Sequence, residues 1–247
     1  MARTIIMADI SGTTPDRTNG AGPSLKRILD VAFASVALVL LAPALTLIAL
    51  AICIEDGWPF LFFQVRLGQY GETFVLCKFR KFRNRHLEDG SPLTLKNDPR
   101  LTSMGRFLER WKLDEVPQLW NILKGDMAVV GPRPETPHFA DCFDGEYREV
   151  LSYKPGIFGP SQAMFRSESK MHQAGRDPEQ FYRAVLFPLK ARLDLAYFPH
   201  GSTWLDVKWA ARCILAVLGF SFVPNGGTDL VAQVESCLQL LASETKP

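Results

Sequence analysis

The chain has 247 residues, 47% of them apolar and 22% charged, with 28 Lys plus Arg against 26 Asp plus Glu. These averages exclude a collagen-like, fully disordered or disulfide-stapled chain. The length suits one large domain or a medium domain with appendages, is ample to bury a core, and is too short for a multi-pass transporter with a separate enzyme domain.

In chain order, residues 1–23 are rich in Gly, Thr, Pro and Asp and read as a disordered tail. Ser24 suits an N-cap before Leu25, Lys26 and Arg27. A basic pair just before an apolar run reads as a cytoplasmic-side membrane anchor, or equally as a solvated helix start. From Val31 to Ile54 no residue is charged and 21 of 24 are apolar, enough to cross a bilayer as a helix. About 30 residues precede this run and no small-x-small cleavage pattern follows it, so a retained membrane segment is expected rather than a signal peptide.

Pro43 falls inside the run, where it removes a backbone hydrogen bond and breaks or kinks the helix. Two halves could then dip into one leaflet and return, and a kinked spanning helix fits as well. Next come the aromatic cluster WPFLFF, suited to the headgroup region, and two strand-like pieces, FLFFQV and TFVLCKF, joined by a turn at residues 68–71. Residues 78–112 hold ten Lys or Arg against four acids, a net +6. That excess suggests an anionic partner: phosphates, anionic lipid or, last, nucleic acid, for which no recognised module is present. Residues 177–196 have helical spacing after the start signal Asp177-Pro178. Residues 204–222 are apolar with interspersed charge, as in an amphipathic interfacial helix.

The five cysteines form no C-x-x-C pair and the four histidines have no ligand spacing. Free thiols in a reducing compartment are expected, and any metal would be held by carboxylates and substrate oxygens.

The densest local signal is WKLDEVPQLWNILKGDMAVVGPRPE, residues 111–135. Asp114 and Glu115 precede Pro117, which suits a first helical turn, and Gly125 is a stop signal. Carboxylates at a helix N-terminus are expected to have lowered pKa values and can serve as a nucleophile toward phosphorus or a metal ligand; simple capping is the alternative. Arg133 lies between two prolines in GPRPETP, a stiff extended setting that pre-positions a guanidinium for phosphate. Lys78, Arg80 and Arg100 are further phosphate-binding candidates, although each taken singly reads first as an exposed charge or a turn residue.

Together these stretches resemble the bacterial sugar transferase family, the monotopic polyprenyl-phosphate phosphoglycosyl transferases. The likeness runs in order through SLKRILDVAFASVALVLLAP, FLFFQVRLGQYGETFVLCKFR, the segment from NDPR to GPRPE, SYKPGIFGPSQAMFRSE and YRAVLFPLKARLDLAYF, roughly residues 24–220. The resemblance implies transfer of a sugar-1-phosphate from a nucleotide sugar, usually a UDP-sugar, to a polyprenyl phosphate, with release of UMP, as the first membrane step of exopolysaccharide or other surface glycan assembly. It implies Asp114 as nucleophile in a covalent intermediate, Glu115 as a holder of Mg2+, and Arg133 and Arg166 as phosphate or nucleotide-diphosphate binders. It also implies a re-entrant segment centred on Pro43.

Some positions depart from the family pattern: Glu109 stands where Arg is usual, Lys112 and Ala42 where Ser is usual, and Phe158 where Thr is usual. Arg110 or Lys112 could replace the missing charge, and Gln162 is a secondary candidate. The expected fold is α+β: a disordered tail (1–23), a re-entrant helix-break-helix (24–55), a mostly helical catalytic domain with a small β-hairpin (56–200), and a C-terminal interfacial amphipathic helix and tail (201–247). The expected location is a bacterial inner membrane with the catalytic domain facing the cytoplasm. Glycan-assembly proteins or a second copy are further possible partners; nucleic acid is not expected. Competing readings are a non-catalytic membrane scaffold of glycan assembly and a direct glycosyltransferase that releases UDP.

Overall fold

The computed structural model describes residues 24–84, 98–165 and 177–217. Helix α1, Leu25–Asp56, begins where Ser24 accepts a hydrogen bond from the Arg27 amide and ends at Gly57, whose φ of 74° favours a residue without a side chain. The helix is unbroken through Pro43, so the two halves expected from the sequence form one element. Beside the proline, the Thr46 hydroxyl donates to the Ala42 carbonyl at 2.9 Å. Among the described residues this is the one helix long and apolar enough to cross a membrane.

Both ends of α1 are bound to the same body. At its start Arg27 donates to the Ile122 and Leu123 carbonyls at 2.6 and 3.0 Å, and Asp30 accepts from the Val129 amide. At its end Glu55 accepts from the Ser103 and Met104 amides at 2.6 and 2.8 Å. Between these ties one side of the helix packs inward, Ala34 beside Leu119 and Ile122, Ile52 beside Phe79 and Leu108. The other side leaves Val36, Val39, Leu40, Leu47 and Leu50 exposed. Such a continuous apolar surface marks a contact with lipid or protein.

The hairpin is as expected. Strands β1 (Leu61–Leu67) and β2 (Thr73–Phe79) pair antiparallel, with Phe62 opposite Lys78 and Arg66 opposite Phe74. Asn121 binds β2 from its side, accepting from the Cys77 amide at 3.0 Å and donating to the Val75 carbonyl at 2.7 Å. Helix α2, Ser103–Trp111, is capped by Thr102 and ends at Lys112, φ 55°. A 3-10 turn over Leu113–Gln118 then leads into α3, Leu119–Lys124, which stops at Gly125, φ 98°.

A second, parallel pair lies beyond the sequence expectation: β3 (Ala128–Val130) with β4 (Gly156–Phe158). Its strands are three residues long, too short to show an alternation. Two short 3-10 segments, Pro137–Cys142 and Gly145–Ser152, connect them, and α4, Pro160–Met164, follows. The helix expected over 177–196 is present as α5 (Pro178–Phe181), a π-helical turn (Tyr182–Leu186) and α6 (Phe187–Tyr197), with Asp177 capping its start. The aromatic core of Phe139, Phe143, Phe165, Phe181, Tyr182 and Phe187 sits on this helix. Helix α7, Thr203–Val217, exposes Trp204, Val207 and Ile214. It is tied to α1 by a Lys26–Asp206 ion pair of 2.7 Å. The tails expected at 1–23 and after 217 lie outside the described residues.

Candidate active site

The acidic pair sits on the 3-10 turn, where the tight winding after Lys112 points it toward β2. Glu115 lies under two cations: its Oε1 is 3.1 Å from Lys78 Nζ and 3.1 Å from Arg133 Nη2. Lys78 and Glu115 are largely buried and Arg133 is half-buried. Against the opposing effect of burial, Lys78, then Arg133 and Lys112, hold the Glu115 carboxyl well below its usual range. Burial in turn pulls Lys78 down to about 8, with Glu115 acting the other way.

Asp114 is 4% exposed, and its Oδ1 has no hydrogen-bond partner among the described residues. Burial pushes its carboxyl up from the ordinary value; Lys81 opposes this, the Glu115 charge adds to it, and Lys78 and Lys112 again oppose it. The helix-terminus argument anticipated a lowered value for both acids. That is corrected for Asp114, because desolvation outweighs a dipole that a short 3-10 turn only weakly supplies.

The other sequence candidates divide. Lys112 is in the electrostatic surroundings of both acids. Arg80, expected to bind phosphate, is 1% exposed and serves α1 instead: it donates to the Asp56 and Gly57 carbonyls and pairs with the Asp56 carboxylate at 3.1 Å. Arg100 forks onto Asp98 at 2.6 and 2.9 Å and lies 4.6 Å from the Phe82 ring centre. Arg110 lies over Trp111. Gln162 donates to the Gly131 and Gly156 carbonyls, tying the start of the Arg133 loop to β4. Lys26 and Arg27 both have protein partners, Asp206 and the Ile122 carbonyl, although the Lys26 side chain stays partly exposed. Glu109 pairs with Lys81 at 3.3 Å. Arg166 lies outside the described residues.

Residues 131–136 form the extended loop that the prolines of GPRPETP require. Its base is narrow: a Cβ on Gly131 would stand 2.1 Å from the Lys154 carbonyl oxygen. Sequence reasoning missed Arg66, on the same face of the hairpin as Lys78; the β1–β2 register is the signal that finds it. It also missed the buried polar group behind the loop. There Asp194 accepts from the Ser161 hydroxyl at 3.0 Å, and burial raises its carboxyl to about 7. Lys190 lies 3.9 Å from Glu135 in the same region.

Among the described residues no three His, Cys, Asp or Glu side chains gather into a cage for a metal. The unpartnered Asp114 oxygen beside Glu115 still offers the hard oxygen donors that a magnesium ion takes when phosphate and water complete its shell. A buried acid pair flanked by Lys78, Lys81, Lys112 and Arg133 can offset the negative charge of a phosphate group.

The sequence matches the family described as "Bacterial sugar transferase" over residues 22–219. The chain belongs to the bacterial sugar transferase family. Among its relatives, a UDP-glucose:undecaprenyl-phosphate glucose-1-phosphate transferase of Caulobacter vibrioides is 34% identical over 198 residues, 78% of this chain and 69% of the relative. The Aeromonas hydrophila UDP-N-acetylgalactosamine-undecaprenyl-phosphate N-acetylgalactosaminephosphotransferase is 32% identical over 78% of this chain and 44% of its own length. The Escherichia coli UDP-glucose:undecaprenyl-phosphate glucose-1-phosphate transferase is 34% identical over 77% of this chain and 39% of its own length. The chain thus spans less than half of these last two relatives. Their names agree with the expectation of an enzyme of the phosphoglycosyl transferase class.

Proposed function

We propose that this bacterial sugar transferase moves a sugar-1-phosphate from a nucleotide sugar, a UDP-sugar by kinship, to undecaprenyl phosphate. The observation that carries the reading is a buried carboxylate with an unpartnered oxygen, Asp114, beside a second acid clamped by Lys78 and Arg133. In the first step an Asp114 carboxylate oxygen bonds to the sugar-bearing phosphorus of the donor. The bond from that phosphorus to the bridging oxygen breaks, and UMP leaves. In the second step an oxygen of the lipid phosphate attacks the same phosphorus and Asp114 departs as a carboxylate.

Both steps bring anions together, and the cations around the acids offset that repulsion. Lys78 and Arg133 are placed to bind the donor phosphates, while Glu115 holds those two side chains in position. Glu115, with Asp114, would hold magnesium, which when bound supplies further neutralisation of the diphosphate. Splitting the transfer lets a water-soluble donor and a lipid acceptor use one small site in turn.

Two ties of α1 support a re-entrant arrangement even though the helix is unbroken at Pro43: its start is bound by α3 carbonyls and its end caps α2, so both ends meet one domain. With the exposed apolar face of α1 in the lipid and α7 at the interface, the site lies at headgroup depth, on the cytoplasmic side of a bacterial inner membrane. Single cysteines placed at Ser24 and at Trp58 are expected to react with an impermeant thiol reagent from the same side. Opposite sidedness would refute this topology.

The transfer itself is tested with UDP-sugars, undecaprenyl phosphate and magnesium. The expected nucleotide product is UMP. UDP would favour a direct glycosyltransferase, and no nucleotide from any donor in a broad panel would sink the catalytic reading.

A further inference from the structure

The alternation of β1 puts Gln64 and Arg66 on the hairpin face that carries Lys78. Arg66 is held along two directions. Its Nε and Nη2 donate to Gln64 Oε1 at 3.1 and 2.6 Å, and its Nη1 donates to the Pro134 carbonyl at 3.1 Å. Pro134 follows Arg133, whose guanidinium meets Glu115. One residue further along, the Leu67 amide donates to the Glu135 carbonyl at 2.8 Å, so the loop lies against β1 through two successive carbonyls. The electrostatic neighbours of Arg66 are Glu135, Arg133, Tyr182 and Glu115. Gln64 on one side and the Pro134 carbonyl on the other hold the Arg66 guanidinium in place among these groups.

We propose that Arg66 is a positioning residue: it fixes the Pro134 carbonyl and thereby sets the Arg133 guanidinium against Glu115, ready for a donor phosphate. Proline on both sides of Arg133 stiffens the loop, so holding one carbonyl fixes the backbone from which the Arg133 side chain departs, and Glu115 then receives its guanidinium. This inference rests on the reading of Arg133 as a phosphate-binding group.

The test is a double-mutant cycle in the full chain in lipid nanodiscs, with Arg66→Gln, Arg133→Gln and both together, reading donor KM and kcat separately. Each single change is expected to raise donor KM about tenfold, and the double variant to stay within about twofold of Arg133→Gln. Effects that multiply, or an Arg66→Gln variant that equals the wild type, would overturn the proposal. If Arg66→Gln does not fold, the same cycle is run with Arg66→Lys and the same outcomes decide. An activity-free readout separates this inference from the transferase reading: amide hydrogen exchange. Loss of the Arg66 guanidinium is expected to speed exchange at Arg133, Glu135 and Thr136 while Thr73–Phe79 is unchanged. Equal loosening of both segments would show a general structural role and refute positioning.

Discussion

Asp114 and Glu115 are neighbours in the chain, yet only one has its charge matched. Glu115 receives Lys78 and Arg133 on a single oxygen, while Asp114 keeps an oxygen with no hydrogen-bond partner among the described residues. One acid is therefore held in place and the other is left with a lone pair to use. The division of labour proposed for them rests on this asymmetry.

For Asp114→Asn the shape is nearly kept and the charge of the proposed nucleophile is lost. UMP release is expected to fall by at least about a thousandfold. Because burial raises the Asp114 carboxyl, ionising it at neutral pH costs folding free energy, so the variant is expected to melt no lower than the wild type at pH 7. A large fall in melting temperature would show that Asp114 is structural instead.

Glu115→Gln leaves Lys78 and Arg133 facing each other without a shared anion. Breaking a largely buried pair in this way is expected to cost about 3 kcal/mol in chemical denaturation. Its depressed carboxyl also contributes stability that is present above its ordinary pKa and lost as pH falls through the lower folded value. The deficit of the variant relative to wild type is therefore expected to shrink in acid. A deficit independent of pH would contradict the pairing.

Asp194 has the opposite sign. With its folded pKa raised to about 7, the native chain binds a proton there that the unfolded chain releases at lower pH. Its contribution to stability falls as pH rises from about 4 to about 7 and is level above that. Asp194→Asn removes this slope while an amide oxygen still accepts from Ser161. Relative to wild type, the variant is expected to gain on the order of a few kcal/mol across that interval. Parallel stability curves for the two proteins would show that Asp194 is ionised throughout.

Gly131→Ala forces a methyl group against the Lys154 carbonyl at the root of the Arg133 loop. Backbone on both sides cannot move away as a side-chain tip could. A loss of more than about 3 kcal/mol is expected, together with a raised donor KM in any fraction that folds. Wild-type stability would mean that the backbone at the end of β3 can give way to a methyl group.

Much of this was readable from local pattern. The α1 run, the hairpin, the Asp177 cap and the Gly125 stop are properties of neighbouring residues, and each is where chain-local chemistry places it. The meeting of Glu115 with Lys78 and Arg133 needed more, because those residues come from a 3-10 turn, a strand and a loop. Local chemistry singled the three residues out and family resemblance gave roles to Glu115 and Arg133, but spacing alone could not pair them. Arg80 shows the reverse difficulty: a basic residue in a basic stretch looks available for phosphate, but burial against the end of α1 is a tertiary fact. Likewise Asn121 bridges a helix to an unrelated strand through its amide, which no sequence period announces.

The two ties and two packed stretches of α1 make it a wall of the protein rather than a tether. Deleting it would not release a soluble enzyme. It would strip Ala34 and Ile52 from two separate cores, unseat the amides of Ser103 and Met104, and open the region behind the acidic pair to water. On the proposed membrane placement, solubilising agents that compete for the outer face of this helix would act on the order of the acidic pair itself, so activity measured in detergent would report the quality of the lipid substitute as much as the chemistry of the side chains.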